Sequence, residues 1–146
     1  MTPEQRRLLQ DSWATVEQNG DALATAFYER LFELDPPARA LFADTDMVKQ
    51  RAKFILMLGS IVRVMDDVEQ LVPEATALGR RHAGYGALAA HYDTVGQALL
   101  WMFDQALGEK FDDPVRVAWG EGYRLLAALM QRAGAGAGGS VTPADH

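Results

Sequence analysis

Apolar residues recur every three or four positions along the chain, and no segment shows a sustained alternation of apolar and polar residues. This spacing predicts amphipathic α-helices rather than β-strands. The first helix begins at a capping signal formed by Thr2, Pro3 and Gln5, and we expect it to end at Asn19-Gly20. The apolar stripes are Leu8, Leu9, Trp13 and Val16 on the first helix, Leu23, Phe27, Leu31 and Leu34 on the second, and Phe54, Leu58, Ile61 and Met65 on the third.

Turn residues divide the rest of the chain. Asp35-Pro36-Pro37 predicts a sharp corner, followed by a short helical turn up to Phe42, and Gly108 closes a later helix. The helices after the first are expected at residues 21–34, 47–68, 74–84, 92–107 and from about 112 to 132. The predicted fold class is therefore all-α, with six long helices and short turns. Its connections are too irregular for an up-down bundle.

Length and composition indicate one globular domain. The chain has 146 residues, of which 49% are hydrophobic and 23% are charged, a balance that is typical of a folded domain. We place this domain at residues 1–133. Residues 134–146 are rich in glycine and alanine and are predicted to form a flexible tail.

Charge and cysteine content exclude several classes of function. The net charge is −6 and no basic stripe reverses it locally, so nucleic acid is not an expected partner. The N-terminus lacks a signal peptide, and the longest apolar run, residues 54–62, is too short to span a bilayer. We therefore expect a cytoplasmic protein without membrane insertion. The absence of cysteine excludes disulfides, thiolate metal sites and haem attached through cysteine.

Three histidines are the first candidates for chemistry. His82 shares the apolar face of its helix with Leu78 and Tyr85, where a histidine is either a satisfied core residue or a ligand. His91 lies at a predicted helix boundary, which favours a capping or hydrogen-bonding role. His146, in the predicted tail, is the weakest candidate.

Two polar residues on other helices widen this set. Gln50 lies on the same side of its helix as Phe54 and Ile61, and Tyr28 lies in an aromatic stretch of the second helix. Taken singly, Gln50 reads as a surface residue and Tyr28 as a rim tyrosine. Their joint occurrence with His82 indicates a shared site.

A series of motifs follows in order along the chain: residues 11–16 (DSWATV), 27–32 (FYERLF), Pro36, 40–42 (ALF), 78–82 (LGRRH), Gly86, 91–100 (HYDTVGQALL) and 118–123 (AWGEGY). In these motifs the chain resembles the globins, closest to the single-domain haemoglobins of bacteria and, in its second half, similar to neuroglobin. The resemblance covers about residues 2–132. These motifs imply a globin fold around one haem pocket.

The resemblance also implies roles for individual residues. His82 would be the metal ligand on the proximal side of haem, with its other ring nitrogen donating to a backbone carbonyl near Leu78. Tyr28 and Gln50 would occupy the distal side, where both can donate hydrogen bonds to a bound gas, and Phe54 would limit that pocket. The remaining expected cofactor contacts are Phe42 as an apolar wedge, Tyr92 and Val95 on the proximal side and rim, and Lys53 as either a propionate partner or a solvated surface lysine.

The chain departs from the globin pattern at the distal side and from the flavohaemoglobin pattern at the proximal side. Globins that close the sixth iron position do so with a distal histidine, so Gln50 predicts an open or water-occupied position, with Tyr28 or Lys53 as alternative internal ligands. Tyr92 falls where flavohaemoglobins carry a supporting tyrosine. The place of the matching glutamate is near Gly134, where this chain has no acid. A flavin- and nicotinamide-binding reductase half is not among these residues either, so electrons are expected from a separate reductase.

Several functions share this pocket. We expect a haem b protein that binds O2, CO and NO reversibly, for oxygen binding, storage or transport. The alternative is an enzyme, a nitric oxide dioxygenase that turns NO and O2 into nitrate. Spacing alone does not separate these two. A gas sensor would need a signalling domain, and a helical domain without any cofactor would leave His82 with a packing role only.

Overall fold

The computed structural model describes residues 1–135, and within this range every regular element is a helix. The six α-helices are α1 (Pro3–Glu17), α2 (Gly20–Leu34), α3 (Met47–Val64), α4 (Val68–Gly84), α5 (Ala89–Leu107) and α6 (Asp113–Ala135). Two 3₁₀ helices, Pro36–Phe42 and Gly108–Lys110, follow α2 and α5. The predicted all-α class with six long helices is confirmed. None of the described helices is both long and apolar enough to cross a membrane.

Two of the predicted end signals act as expected. At the start of α1, the Thr2 hydroxyl accepts from the Gln5 backbone N–H at 3.1 Å, and the Gln5 side chain accepts from the Thr2 N–H at 3.0 Å. At the end of α5, Gly108 has a φ of 54°, a conformation that favours glycine. Both helix ends are therefore set by local sequence.

The boundary between α3 and α4 was predicted wrongly. The third helix ends at Val64 rather than at residue 68, and the fourth begins at Val68 rather than at residue 74. The reason is Asp67, whose carboxylate accepts from the Glu69 N–H at 3.1 Å and caps α4. Pro73 then lies inside the helix on its exposed side rather than marking its start.

Two further bounds differ from the predictions. Helix α5 begins at Ala89 rather than at residue 92, which puts His91 in its first turn. Helix α6 continues to Ala135 rather than ending at about residue 132. The rest of the predicted tail, residues 136–146, lies outside the described residues.

The core forms where the helices cross. The most extensive contacts join α4 to α6 and α2 to α5, and α1 packs across α6. The predicted stripes point into this core, with the exception of Leu34, which is 37% exposed at the last position of α2. The centre is filled by Met102 and Phe103 of α5, and Trp119 of α6 stacks on Phe103 with ring centroids 3.9 Å apart.

One buried polar group ties α1 to α6. The Trp119 indole N–H donates to the Ser12 hydroxyl at 2.9 Å, and that hydroxyl donates in turn to the Leu8 carbonyl at 2.6 Å. Ser12 is the buried polar residue of the described core. Because both donors are paired, the contact adds no desolvation penalty.

Candidate functional site

A cavity of about 500 Å³ opens among α2, α3, α4, α5 and α6. Cavities of about 300–1,000 Å³ are typical of small-molecule and cofactor sites, and like them this one has mainly apolar walls. Every residue predicted for the site lines it, namely Tyr28, Phe42, Gln50, Lys53, Phe54, His82, Tyr92 and Val95. The fold therefore gathers these scattered positions in one place.

His82 reaches the cavity from the last turn of α4. Its Nδ1 lies 2.9 Å from the carbonyl oxygen of Leu78, so the backbone partner expected near Leu78 is present. Because a carbonyl oxygen only accepts, Nδ1 carries the hydrogen, and the lone pair of the neutral ring is on Nε2. A histidine that binds a metal through Nε2 needs this tautomer. The role of His82 as a ligand stays a prediction.

Tyr28 and Gln50 form a polar pair between α2 and α3. The Gln50 amide donates to the Tyr28 hydroxyl oxygen at 3.1 Å. Burial raises the pKa of Tyr28 to about 12, and the hydrogen bond from Gln50 offsets part of that rise. Tyr28 is therefore neutral at physiological pH. Its hydroxyl accepts from Gln50 and retains a proton to donate to a polar ligand.

Interlocked aromatic rings surround Tyr28. Phe54 stacks on Phe27 with centroids 4.3 Å apart, and Tyr28 meets both Phe54 and Phe42 edge-on at 5.5 Å. Phe32 packs against Phe42 at 5.7 Å. Each such pair contributes about 0.5–1.5 kcal/mol beyond its buried area, so this aromatic wall holds Tyr28 in place.

Tyr92 and Val95 line the cavity from the first half of α5. The Tyr123 hydroxyl of α6 donates to the Tyr92 backbone carbonyl at 2.6 Å. A Cβ on Gly96 would lie 2.8 Å from the Tyr123 ring, so this glycine permits the close contact. Burial raises the pKa of Tyr123, and the nearby Tyr92 and Asp93 raise it further. Tyr123 is therefore protonated and neutral, and its hydrogen bond connects α6 to the part of α5 that lines the cavity.

Two cationic side chains mark the edge of the cavity. Lys53 on α3 and Arg81 on α4 line it and are exposed to solvent. Among the described residues that line the cavity, none is Asp or Glu. The edge therefore suits a ligand that carries carboxylate groups. This placement agrees with either of the two roles predicted for Lys53.

His91 also lines the cavity, but its contacts are those of a cap. Its Nδ1 accepts from the Leu88 backbone N–H at 2.9 Å, and its Nε2 lies 3.6 Å from a carboxylate oxygen of Asp35. The capping or hydrogen-bonding role predicted for His91 is confirmed. Because the Leu88 N–H occupies Nδ1, the first turn of α5 depends on the unprotonated form of this nitrogen.

Sequence reasoning missed several lining residues. The main ones are Leu41, Met57, Arg81, Tyr85, Tyr123 and Met130. A signal existed for four of them. Arg81, Leu41 and Tyr123 lie in the motifs at residues 78–82, 40–42 and 118–123, and Tyr85 shares the helix face of His82. Met57 and Met130 fall on ordinary helix stripes, which do not distinguish a core position from a cavity wall.

Gly134 lies in the last turn of α6, tight against α4. A Cβ on Gly134 would lie 3.2 Å from the Cβ of Ala83 and 3.4 Å from the Gly79 carbonyl oxygen. A methyl group added at this position would require its neighbours on α4 to shift by a few tenths of an ångström. Asp145 and His146 lie outside the described residues.

Fold and site together define an all-α protein with a cofactor-sized cavity that His82 lines from the last turn of α4. The family model that matches, Globin, covers residues 25–130, and the chain belongs to the globin family. A flavohemoprotein of Chromobacterium violaceum is 31% identical over 99% of this chain, which spans 36% of that relative's length. Neuroglobins of Chaenocephalus aceratus and Danio rerio are 27% and 26% identical, each over 90% of this chain and 91% of the relative.

Globins bind haem, and through it they bind gases. The cavity fits that group on three observations: its size and apolar walls, the tautomer of His82, and the cations at its edge. His82 would hold the iron, and Lys53 and Arg81 would hold the propionates. The predicted globin fold is confirmed by the family match and by the helical architecture.

Proposed function

We propose that this protein is a haem b protein that binds O2, and also CO and NO, reversibly at an iron whose sixth position is open or holds water. The observation that carries the proposal is the bond between His82 Nδ1 and the Leu78 carbonyl, in the same cavity as the Tyr28–Gln50 pair. Type b haem is supported by the lack of any cysteine for a covalent attachment. The physiological role that we propose is oxygen binding, storage or transport in the cytoplasm.

When haem is bound, it supplies an iron atom that takes up a diatomic gas reversibly. The protein's contribution on the distal side is a fixed hydrogen-bond donor. Gln50 holds the hydroxyl oxygen of Tyr28, and the Tyr28 proton is then available to a polarised ligand. A hydrogen bond to a charged partner contributes about 1.5–3 kcal/mol, so this arrangement favours slow release of O2.

The other residues exclude water and orient the cofactor. The rings of Phe27, Phe42 and Phe54 keep the surroundings of Tyr28 apolar, and with haem bound they would limit the access of water and protons to the iron. Lys53 and Arg81 would fix the carboxylate edge of the cofactor at the solvent side.

An open sixth position is supported by the state of Tyr28. With a pKa of about 12 it stays protonated, and a protonated phenol is a poor metal ligand. Gln50 stands where a ligating histidine would be expected, and an amide is a weak ligand for iron. Lys53 is exposed, so its ammonium group is best solvated away from the iron.

The test is the visible absorption spectrum of purified protein in the ferric state, after reduction with dithionite, and after addition of O2 or CO. We expect an intense Soret band that shifts with each ligand, and a single broad band in the visible region for the reduced protein. A colourless, folded protein that takes up no added haem would refute the proposal.

Two histidine variants assign the ligand. His82→Ala is expected to lose haem, and its thermal stability should fall because cofactor binding no longer contributes to folding. The matched control is His91→Ala, since His91 lines the same cavity but makes a cap. It should retain haem. A colourless His91 variant beside a coloured His82 variant would reverse the assignment.

A second candidate function is supported by the 31% identity with a flavohemoprotein, whose name denotes flavin as well as haem. This candidate is nitric oxide dioxygenation, in which NO, O2 and one electron give nitrate. The electron would come from a separate reductase. The sequence has no acid between Glu121 and Asp145, so the supporting glutamate of flavohaemoglobins has no counterpart near Gly134, and this favours reversible binding over catalysis.

Single-turnover chemistry separates the two candidates. Oxygenated protein would be mixed with one equivalent of NO, and nitrate and ferric protein would be quantified. Turnover with NADH and a flavin reductase would then be followed as NO consumption. Sustained consumption that is lost in His82→Ala would favour the enzyme, whereas a single turnover without re-reduction would favour the binding protein.

A further inference from the structure

The helix that carries His82 rests on α6 through bare backbone. A Cβ on Gly79 would lie 2.6 Å from the Met130 Cα and 2.8 Å from the Met130 carbonyl carbon. Real Cβ contacts are not that short, so only glycine at position 79 allows this approach. One helical turn further along both helices, Gly134 meets Ala83, where an added Cβ would lie 3.2 Å from the Ala83 Cβ.

This contact is directly linked to the imidazole of His82. The carbonyl that accepts from His82 Nδ1 belongs to Leu78, and the same peptide unit continues into Gly79. A displacement of Gly79 from Met130 therefore also displaces the acceptor that orients the ring. The second contact involves Ala83, the residue that directly follows His82. The two contacts thus bracket His82 along α4.

The other glycines of α6 do not share this feature. A Cβ on Gly120 meets nothing within 4 Å, and a Cβ on Gly122 meets only side-chain ends. Glycine is less favourable than alanine inside a helix. Close packing on a neighbouring backbone explains the glycines at positions 79 and 134, whereas no contact explains Gly120.

We propose that Gly79 and Gly134 are positioning residues for His82. By letting the backbones of α4 and α6 touch, they fix the orientation and depth at which the imidazole enters the cavity. They thereby set the strength of the bond between His82 and the iron. This inference rests on the proposed function, because it concerns the histidine that would hold haem.

The experiment uses haem-loaded protein and compares four single variants with the wild type: Gly79→Ala, Gly134→Ala, Ala83→Gly and, as the control, Gly120→Ala. The main readout is the iron–histidine stretching band of the reduced protein, recorded by resonance Raman spectroscopy. A second readout is the free energy of unfolding of the haem-free protein in urea. The band reports on His82 itself, whereas the unfolding energy reports on packing.

We expect Gly79→Ala and Gly134→Ala to shift or broaden the iron–histidine band, because the imidazole no longer enters at one fixed depth. Gly120→Ala should leave the band in place. The double variant Gly134→Ala/Ala83→Gly moves the methyl group from one helix to the other and should bring the band back toward the wild-type position. This rescue distinguishes positioning from a general loss of stability.

Each result has a defined meaning. If Gly79→Ala and Gly134→Ala unfold more easily but keep the iron–histidine band of the wild type, the two glycines only pack the helices and the inference is wrong. If Gly79→Ala fails to fold, Gly134→Ala and its rescue decide the matter alone. If the wild type takes up haem without showing any iron–histidine band, the proposed ligand fails first, and this inference fails with it.

Discussion

The hydroxyl of Tyr28 is the group whose removal tests the distal side most directly. Tyr28→Phe keeps the ring, so the edge-on contacts with Phe42 and Phe54 at 5.5 Å are retained and the cavity keeps its shape. The variant removes the acceptor of the Gln50 amide and the donor that we assign to the ligand. Its effect on gas binding therefore reports the loss of the Tyr28 hydroxyl together with the release of the Gln50 amide.

The expected magnitude follows from that bond. A donor to a polarised partner contributes about 1.5–3 kcal/mol, and every 1.4 kcal/mol corresponds to roughly a tenfold change. We expect the O2 dissociation rate to rise by about tenfold or more in Tyr28→Phe. The Gln50 amide, released from the hydroxyl, can donate to the ligand in its place. The variant Tyr28→Phe/Gln50→Leu should therefore release O2 faster still.

The assay is stopped-flow displacement of O2 by CO from the reduced, haem-loaded protein. Tyr123→Phe is the matched control, because Tyr123 lines the same cavity but donates to the Tyr92 backbone carbonyl. Its O2 dissociation rate should stay close to that of the wild type. An unchanged rate in both Tyr28→Phe and Tyr28→Phe/Gln50→Leu would refute the distal role, and an equal rise in Tyr28→Phe and Tyr123→Phe would indicate loosened packing instead.

Three further outcomes follow from described contacts. Ser12→Ala should lower the free energy of unfolding, measured in urea, by about 1–3 kcal/mol, because the Trp119 indole N–H loses its buried acceptor. A smaller loss would mean that a water molecule replaces the Ser12 hydroxyl as the acceptor. Gly108→Ala should lower the free energy of unfolding by about 1–3 kcal/mol, because φ at this position is 54°, a value that alanine rarely adopts. An unchanged midpoint of urea unfolding would contradict this. Burial raises the pKa of Tyr28 to about 12, above its value in the unfolded chain, so the contribution of Tyr28 to the free energy of unfolding is complete below pH 10 and is lost toward pH 12. Over this pH range the free energy of unfolding of Tyr28→Phe should therefore fall less steeply than that of the wild type. Parallel pH profiles would contradict the burial effect.

Sequence patterns predicted the helices better than their ends. The capping residues Thr2 and Gly108 act locally, so their effect is visible in the sequence. Asp67 is also a local signal, but Pro73, six residues later, is a second candidate for the helix start, and the sequence alone does not rank the two. The first turn of α4 shows that a cap can fix a helix boundary one turn ahead of a proline.

The site was predictable where a residue's role depends on its own helix face, as for His82 and its Leu78 carbonyl. It was not predictable where a role depends on how two helices meet. The Tyr123 contact with α5 and the approach of Gly79 to Met130 both arise from helix pairing. A spacing pattern shows which face is apolar, but the distance between two backbones is set by the packing of the whole core.

The aromatic wall around Tyr28 also affects how a gas would reach the cavity. Its rings are flat, have few rotamers and contact one another, so none of them swings aside without moving its neighbours. The solvent edge near Lys53 and Leu56 is different, since Leu56 is 71% exposed and has room to change rotamer. We therefore expect gas entry to depend on this edge and gas residence to depend on the aromatic wall. Substitutions at the edge would change how fast a gas arrives, and substitutions in the wall would change how long it stays.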